Sequence, residues 1–176
     1  MLYLIPIPET QLERRGRAAG WRHLPIEREG RKQLRELAAQ LNGRGVQEVY
    51  ASDLDEQAGR VLADELKVPL RTDFCLRRFN VGRNHAKPLD AVEHIFEDLL
   101  KKWDKNRDIP MRGGDSLTSF EKRMLPMYEK LTTKDSVAFL TDDQTIRYWR
   151  DLNSHAFIRN GNPIHKGKVY CIRRVV

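Results

Sequence analysis

Short apolar runs alternate with longer amphipathic stretches along this chain. The runs at Leu2–Ile5 and 136–140 are continuous, of strand length and bounded by polar residues, so they predict buried strands. Weaker runs at 46–50, 69–71 and 168–175 predict three further strands. Uninterrupted apolar strands are typical of a sheet that is covered on both faces.

The stretches between these strands have apolar residues at three- and four-residue spacing, which predicts helices. We expect one helix over about 31–42 and one that Asp53 caps. Others begin at Pro88 and at Ser116, and the last covers 144–151. Alternating strands and helices predict an α/β fold of three layers, α/β/α, around a mainly parallel, doubly wound sheet.

The length of 176 residues predicts a single domain over 1–176, in which a variable insertion at about 83–115 forms a lid or small subdomain. No apolar run reaches the length of a membrane span. Cys75 and Cys171 are too few and too separated for a disulfide framework or a metal site. We therefore expect a cytoplasmic protein with reduced thiols, no metal and no cofactor.

The formal net charge of +7 changes this picture only in part. Arg14, Arg15, Arg17 and Arg22 form a basic patch in the first loop, which would attract an acidic partner or a nucleic acid. Acidic residues are interleaved with them and no nucleic-acid-binding motif accompanies them, so a solvated face is the favoured interpretation.

A series of short motifs begins at the carboxyl end of the first predicted strand, where α/β sheets place their chemistry. The first is the segment Pro6–Thr10, and the others follow it in order: Arg17 with Gly20-Trp21, Pro25-Ile26 with Gly30-Arg31 and Gln33, Ser52-Asp53-Leu54, Leu76-Arg77 with Gly82, Gly113-Gly114-Asp115-Ser116, and Ile146-Arg147. In this order the motifs resemble the histidine phosphatase (phosphoglycerate mutase-like) superfamily across nearly the whole chain. The resemblance implies the phosphoglycerate mutase-like fold.

At five positions this chain departs from the residues that the family uses for catalysis. The family holds phosphate with two arginines and two histidines, one of them the nucleophile, and an acidic residue protonates the leaving group. At the matching positions this chain has Pro6, Ile7, Glu56, Arg78 and Asp142. Ile7, at the nucleophile position, has no lone pair and cannot accept a phosphoryl group. The resemblance therefore implies a degenerate member without these catalytic residues.

The charges at three of these positions are inverted relative to the family. We expect Glu56, Arg78 and Asp142 to form an ion-pair network that fills the old site. Two alternatives are that the three side chains point into solvent, and that Glu56, Asp142 and Asp143 bind a divalent cation. The candidate pocket residues are Glu9, Thr10, Arg17, Ser52, Glu56, Arg78, Asp142 and Asp143.

Three functions are compatible with these residues. The first is a non-catalytic histidine-phosphatase-like protein that acts by binding a protein or another partner, with self-association as a homodimer plausible. The second is an enzyme with altered chemistry that uses Asp142, Asp143 or Glu56. The third is a basic protein that binds nucleic acid.

Overall fold

The computed structural model describes residues 1–152, 157 and 164–172, and within them one five-stranded sheet forms the centre of the fold. Its strands are β1 (Leu2–Pro6), β2 (Glu48–Ala51), β3 (Leu70–Thr72), β4 (Val137–Thr141) and β5 (Tyr170–Ile172). Their spatial order is β3-β2-β4-β1-β5. All neighbours are parallel except β5, which runs antiparallel to β1. The predicted mainly parallel sheet is confirmed.

Helices cover both faces of this sheet. They are α1 (Gln11–Arg14), α2 (Arg28–Ala39), α3 (Glu56–Leu66), α4 (Leu89–Trp103), α5 (Leu117–Thr133) and α6 (Asp143–Asp151). Strand residues alternate between the two faces. Tyr3 and Ile5 pack with α2 and α3, whereas Leu2 and Leu4 pack with α4, α5 and α6. The three layers follow from this alternation.

Two helix starts differ from the sequence expectation. Helix α2 begins at Arg28 rather than about 31, so Gly30 lies inside its first turn. A β-carbon at Gly30 would lie 3.1 Å from Cβ of Pro8, so the glycine allows close packing of α2 on the loop after β1. Asp53 does not cap α3; it lies in a 3-10 turn, where its carboxylate accepts two hydrogen bonds from Arg77.

Several predicted features agree with the structure. Ser116 caps α5 through a reciprocal pair of hydrogen bonds with Ser119, at 3.0 and 2.9 Å. The last predicted strand is present as β5, and its continuation over 173–175 lies outside the described residues. The lid or subdomain at 83–115 stays a prediction, although α4 within it contributes buried Phe96 to the core. Of the helices in the described ranges, none has both the length and the apolar character needed to cross a bilayer.

Candidate functional site

The carboxyl end of β1 offers an apolar side chain and a backbone carbonyl. The Ile7 side chain is only 6% exposed and belongs to the apolar cluster that contains Ile5 and Leu34. The Ile7 amide donates to the carbonyl of Thr141, at 2.9 Å. The Ile7 carbonyl accepts a hydrogen bond from the Lys166 ammonium, also at 2.9 Å. Position 7 is therefore part of the core.

Arg78 is the buried cation of this region, with 8% of its surface exposed. Its Nη2 donates to Oδ1 of Asp55 at 2.6 Å, and the Ser52 hydroxyl donates to Oδ2 of the same carboxylate at 2.5 Å. Burial alone would lower the pKa of Arg78, but Asp55, Asp142 and Glu13 together raise it above its ordinary value. Arg78 therefore stays charged, and its Nε has no acceptor among the described residues.

Hydrogen bonds from side chains to backbone carbonyls fix the segment that carries Arg78. The Trp21 indole donates to the carbonyl of Arg78 at 2.6 Å, and Nη2 of Arg123 donates to the same carbonyl at 3.3 Å. Nη1 of Arg123 also donates to the carbonyl of Cys75, at 3.1 Å. Arg123 lies in helix α5 and is itself paired with Asp115 at 2.9 Å. Helix α5 therefore helps to fix the position of the backbone at Arg78.

Two adjacent carboxylates at the start of α6 have different roles. Asp142 caps the helix, accepting hydrogen bonds from the Gln144 amide at 3.2 Å and the Thr145 hydroxyl at 2.5 Å. Asp143 forms an ion pair with Lys166, with Nζ 2.8 Å from Oδ1. Burial is the largest influence on Asp143 and raises the pKa of its carboxyl above the ordinary value, although Lys166 acts in the opposite direction.

Glu13 is a third carboxylate near Arg78. It forms a capping box with Thr10 at the start of α1: the Thr10 amide donates to Oε2 of Glu13 at 2.8 Å, and the Glu13 amide donates to the Thr10 hydroxyl at 3.3 Å. Burial acts to raise the pKa of Glu13. The charges of Lys166 and Arg78 and the bonds to Thr10 outweigh it, so the pKa lies below the ordinary value. Glu13 therefore stays ionised near neutral pH.

Glu13, Arg78, Asp142 and Asp143 line a cavity of about 250 Å³. Its apolar lining residues include Val81, Val92, Phe96, Phe157 and Ile164. The charged groups among its described lining residues are Glu13, Glu93, Asp142, Asp143, Arg78 and Arg147. Among the described lining residues, carboxylates therefore outnumber guanidinium groups by four to two.

The predicted ion-pair network is wrong at Glu56. The Glu56 side chain is 57% exposed and pairs with Arg60, one turn later in α3, at 3.4 Å. Its neighbour Asp55 is the carboxylate that contacts Arg78, because α3 begins at Glu56 and directs the two side chains apart. Asp142 belongs to the surroundings of Arg78 and contributes to its raised pKa.

The alternative of a divalent cation held by Glu56, Asp142 and Asp143 is not supported. Within residues 1–152, 157 and 164–172, no group of three or more histidine, cysteine or acidic side chains is arranged to hold a metal ion. Glu56 is engaged with Arg60, whereas Asp142 and Asp143 line the cavity.

Four other candidate pocket residues are structural or exposed. Thr10 caps α1, and Glu9 is exposed beside it. Ser52 is buried and orients Asp55. The Arg17 guanidinium donates to the carbonyl of Ala86 at 2.7 Å, which ties the first loop to the segment before α4.

The predicted basic patch is partly neutralised. Arg14 forms an ion pair with Glu27, and Arg17 is held by a backbone carbonyl. Arg15 and Arg22 are exposed.

Sequence reasoning missed Asp55, Glu13 and Lys166. The spacing of Thr10 and Glu13 is a capping-box pattern, and it could have located Glu13 at the start of α1. The Ser52-Asp53-Leu54 motif pointed to Glu56 rather than Asp55, a difference of one residue that only the helix start decides. Lys166 lies far along the chain in an irregular segment, where sequence spacing carries no information about its contacts.

Comparison with known proteins decides the family. The sequence model of the histidine phosphatase superfamily (branch 1) matches residues 2–159. The chain belongs to this superfamily.

Its curated relatives include phosphoglycerate mutases. The chain is 25% identical over 138 residues to the 2,3-bisphosphoglycerate-dependent phosphoglycerate mutase of Parvibaculum lavamentivorans, a match that covers 74% of this chain and 66% of the relative. It is 27% identical over 128 residues to a protein of Yersinia pestis named probable phosphoglycerate mutase GpmB, covering 70% and 59% of the two chains. The chain thus spans somewhat less than two thirds of these relatives.

Solved structures agree on the fold. The protein TTHB049 from Thermus thermophilus superposes with a TM-score of 0.65 at 26% identity, covering 83% of this chain and 80% of that one. A mycobacterial glucosyl-3-phosphoglycerate phosphatase, in complex with VO3, superposes with a TM-score of 0.75 at 16% identity, covering 96% and 88%. At that identity the second likeness concerns the fold alone.

Proposed function

We propose that this chain is a non-catalytic member of the superfamily, which acts by binding a partner rather than by transferring phosphate. The observation that carries the proposal is the burial of Ile7 in the core at the end of β1. The resemblance matches this position to the nucleophilic histidine. A hydrocarbon side chain that faces the core neither attacks phosphorus nor holds a phosphoryl group.

Electrostatics supports the same proposal. A phosphate dianion needs converging cations, since a desolvated charge must be paired. Here Arg78 is already paired with Asp55, and Glu13, Asp142 and Asp143 stand near it. One like charge at contact distance costs about 4 kcal/mol at an intermediate effective dielectric constant. A phosphomonoester would therefore be repelled from this wall.

A second candidate function is an enzyme with altered chemistry at the strand ends. One observation favours it: Asp143 lines an open cavity, and burial raises the pKa of its carboxyl. A carboxyl group with a raised pKa can exchange protons with a bound ligand. Non-catalytic binding remains the first proposal because the described residues that line the cavity include no serine, threonine, cysteine or histidine.

The loss of catalysis is tested by turnover of p-nitrophenyl phosphate by the purified protein. We expect no release of p-nitrophenol above that of a heat-inactivated sample between about pH 5 and pH 9. Saturable turnover that disappears in Arg78→Met would contradict the proposal, because it would place phosphate chemistry in this cavity.

The partner-binding part needs a separate experiment. Affinity capture from the native host, with mass spectrometry, should identify a bound protein that rebinds after purification. Light scattering on the purified chain tests the predicted homodimer, whose mass would be twice the 20.6 kDa of the monomer. A chain that is monomeric and rebinds no purified partner would contradict this part.

A further inference from the structure

We propose that Asn42 is a site of spontaneous deamidation in the folded protein, where its amide side chain is converted to aspartate and isoaspartate. Asn42 and Gly43 lie between α2 and β2, and both residues are exposed. The reaction needs neither a partner nor phosphate, so it is independent of the proposed function.

The two residues occupy the centre of a tight turn. The Leu41 carbonyl accepts a hydrogen bond from the Arg44 amide at 3.1 Å, which closes a β-turn around Asn42 and Gly43. Gly43 has a φ of 73°, whereas the φ of Asn42 is not positive. This combination is typical of a type II turn, which favours glycine at the second central position.

The attacking group is the backbone nitrogen of Gly43. Its N–H has no acceptor among the described residues, whereas the preceding N–H, that of Asn42, donates to the carbonyl of Ala39 at 3.3 Å. A β-carbon built at Gly43 would meet nothing within 4 Å. The Asn42 side chain likewise has no hydrogen-bond partner in the described part of the chain. The Gly43 nitrogen can therefore rotate towards the Asn42 side chain without breaking a hydrogen bond of its own.

The other asparagines in the described ranges are held or crowded. The side-chain oxygen of Asn80 accepts a hydrogen bond from the Gly82 amide at 2.9 Å, and that of Asn106 accepts one from the Asp108 amide at 3.0 Å. Asn84 is buried. None of these three precedes a glycine, so a β-carbon stands beside each attacking nitrogen. Asn42 differs from them in both respects.

The reaction is an intramolecular exchange of ammonia for water. The Gly43 nitrogen attacks Cγ of Asn42, its proton passes to the leaving amide nitrogen, and the Cγ–Nδ2 bond breaks to release ammonia. Solvent water then opens the succinimide ring at either carbonyl, which gives aspartate or isoaspartate. The new carboxylate lies close to the C-terminal end of α2, where the helix dipole disfavours a negative charge.

The test is incubation of the purified native protein at body temperature and mildly alkaline pH. Peptide mapping by mass spectrometry and an enzyme that methylates isoaspartate provide the readouts, and a synthetic peptide of residues 38–47 is the reference. We expect Asn42 of the native protein to react within about tenfold of the peptide rate, because an exposed turn opens at little cost. Asn160-Gly161 is a second such pair, outside the described residues, so each product is assigned by fragmentation of its own peptide.

Two glycine variants separate the attacking nitrogen from the conformation of the loop. Gly43→Ala places a methyl group beside that nitrogen and should slow the reaction at least about tenfold. Gly45→Ala is the matched control, because Gly45 also has a positive φ, of 66°, and nothing within 4 Å of a β-carbon. It should leave the rate within about twofold of wild type. A native rate more than about tenfold below that of the peptide, or the same rate in both glycine variants, would overturn the inference.

Discussion

Arg78 is the residue on which the architecture of the cavity depends most directly. It is buried, charged and fixed at both ends, by Asp55 at its guanidinium and by Trp21 and Arg123 at its carbonyl. A buried cation is tolerated only when it is paired, and removing its partner leaves an uncompensated charge. The identity of that partner therefore has a measurable effect on stability.

Replacing Asp55 by Ala should lower the free energy of unfolding by about 3 kcal/mol, because Arg78 loses its paired carboxylate. Glu56→Ala is the matched control on the next residue. It breaks only an exposed pair within α3 and should cost less than about 0.5 kcal/mol. Urea denaturation measures both, and equal losses in the two variants would contradict the assignment of Asp55.

Glu48 should make the fold sensitive to acid. Hydrogen bonds from Lys134 at 2.8 Å, Tyr50 at 2.9 Å and Arg71 at 3.1 Å lower the pKa of its carboxyl from 4.5 to about 2. A lowered pKa in the folded state contributes stability above pH 4.5, which is lost as the pH falls towards about 2.

The measurement is thermal unfolding as a function of pH. Wild type should lose stability as the pH falls through this window, and Glu48→Gln should show a flatter dependence there. Glu36→Gln, on the exposed face of α2, should retain the wild-type slope. A Glu48→Gln profile parallel to wild type would show that other groups carry the dependence.

At the scale of elements, the entry to α5 sets the position of the segment that carries Arg78. Asp115 accepts hydrogen bonds from the Asn80 amide and from Arg123, both at 2.9 Å. Gly114 lies directly against the backbone of Asn80, where a β-carbon would be 2.1 Å from the carbonyl oxygen. The Gly113-Gly114-Asp115-Ser116 motif thus joins α5 to the loop after Arg78.

Gly114→Ala should therefore destabilise the protein by about 3 kcal/mol or more, because the new methyl group meets rigid backbone rather than a flexible side chain. Gly167→Ala is the matched control, since a β-carbon there meets nothing within 4 Å. Chemical denaturation compares the two. A Gly114→Ala variant as stable as Gly167→Ala would mean that the loop at Gly114 does not contact the loop at Asn80.

The same scale separates what the sequence could predict from what it could not. Apolar runs located β1 and β4 because buried parallel strands are continuous and hydrophobic. The start of α3 was placed near Asp53, and Glu56 was assigned by its position after the Ser52-Asp53-Leu54 motif, whereas Asp55 is the residue that contacts Arg78. The 3-10 turn at Asp53–Asp55 moves the N-cap of α3 from the predicted Asp53 to Asp55, a shift of two residues. Long-range contacts such as that of Lys166 leave no local pattern.

At the scale of the whole molecule, the net charge of +7 is unaffected by ion pairs, but several arginines are held in them. Besides Arg14, both Arg35 and Arg60 of the neighbouring helices are paired with glutamates. The C-terminal segment is tied to α2 through Gln40, whose amide donates to the carbonyl of Gly167 at 2.8 Å. These contacts give charged and polar surface residues structural roles that net charge alone does not reveal.

Nucleic acid should therefore bind only weakly and without dependence on the first loop. We expect a dissociation constant within the non-specific range of about 10⁻⁴ to 10⁻⁶ M at physiological salt. Changing Arg14, Arg15 and Arg17 together to Ala should alter it less than about threefold. A large loss of affinity in this variant, with a reduced salt dependence in a gel-shift series, would support a nucleic-acid function instead.

The most direct test of the loss of phosphate chemistry is titration of the labelled protein with inorganic phosphate, followed at the Arg78 Nε–H and Ile7 amide signals. We expect no saturable shift of either signal up to about 10 mM, a concentration at which a millimolar site would be mostly filled. A saturable shift of both signals, abolished by Arg78→Met, would contradict the loss of phosphate binding, because the old phosphate site would then still hold its ligand.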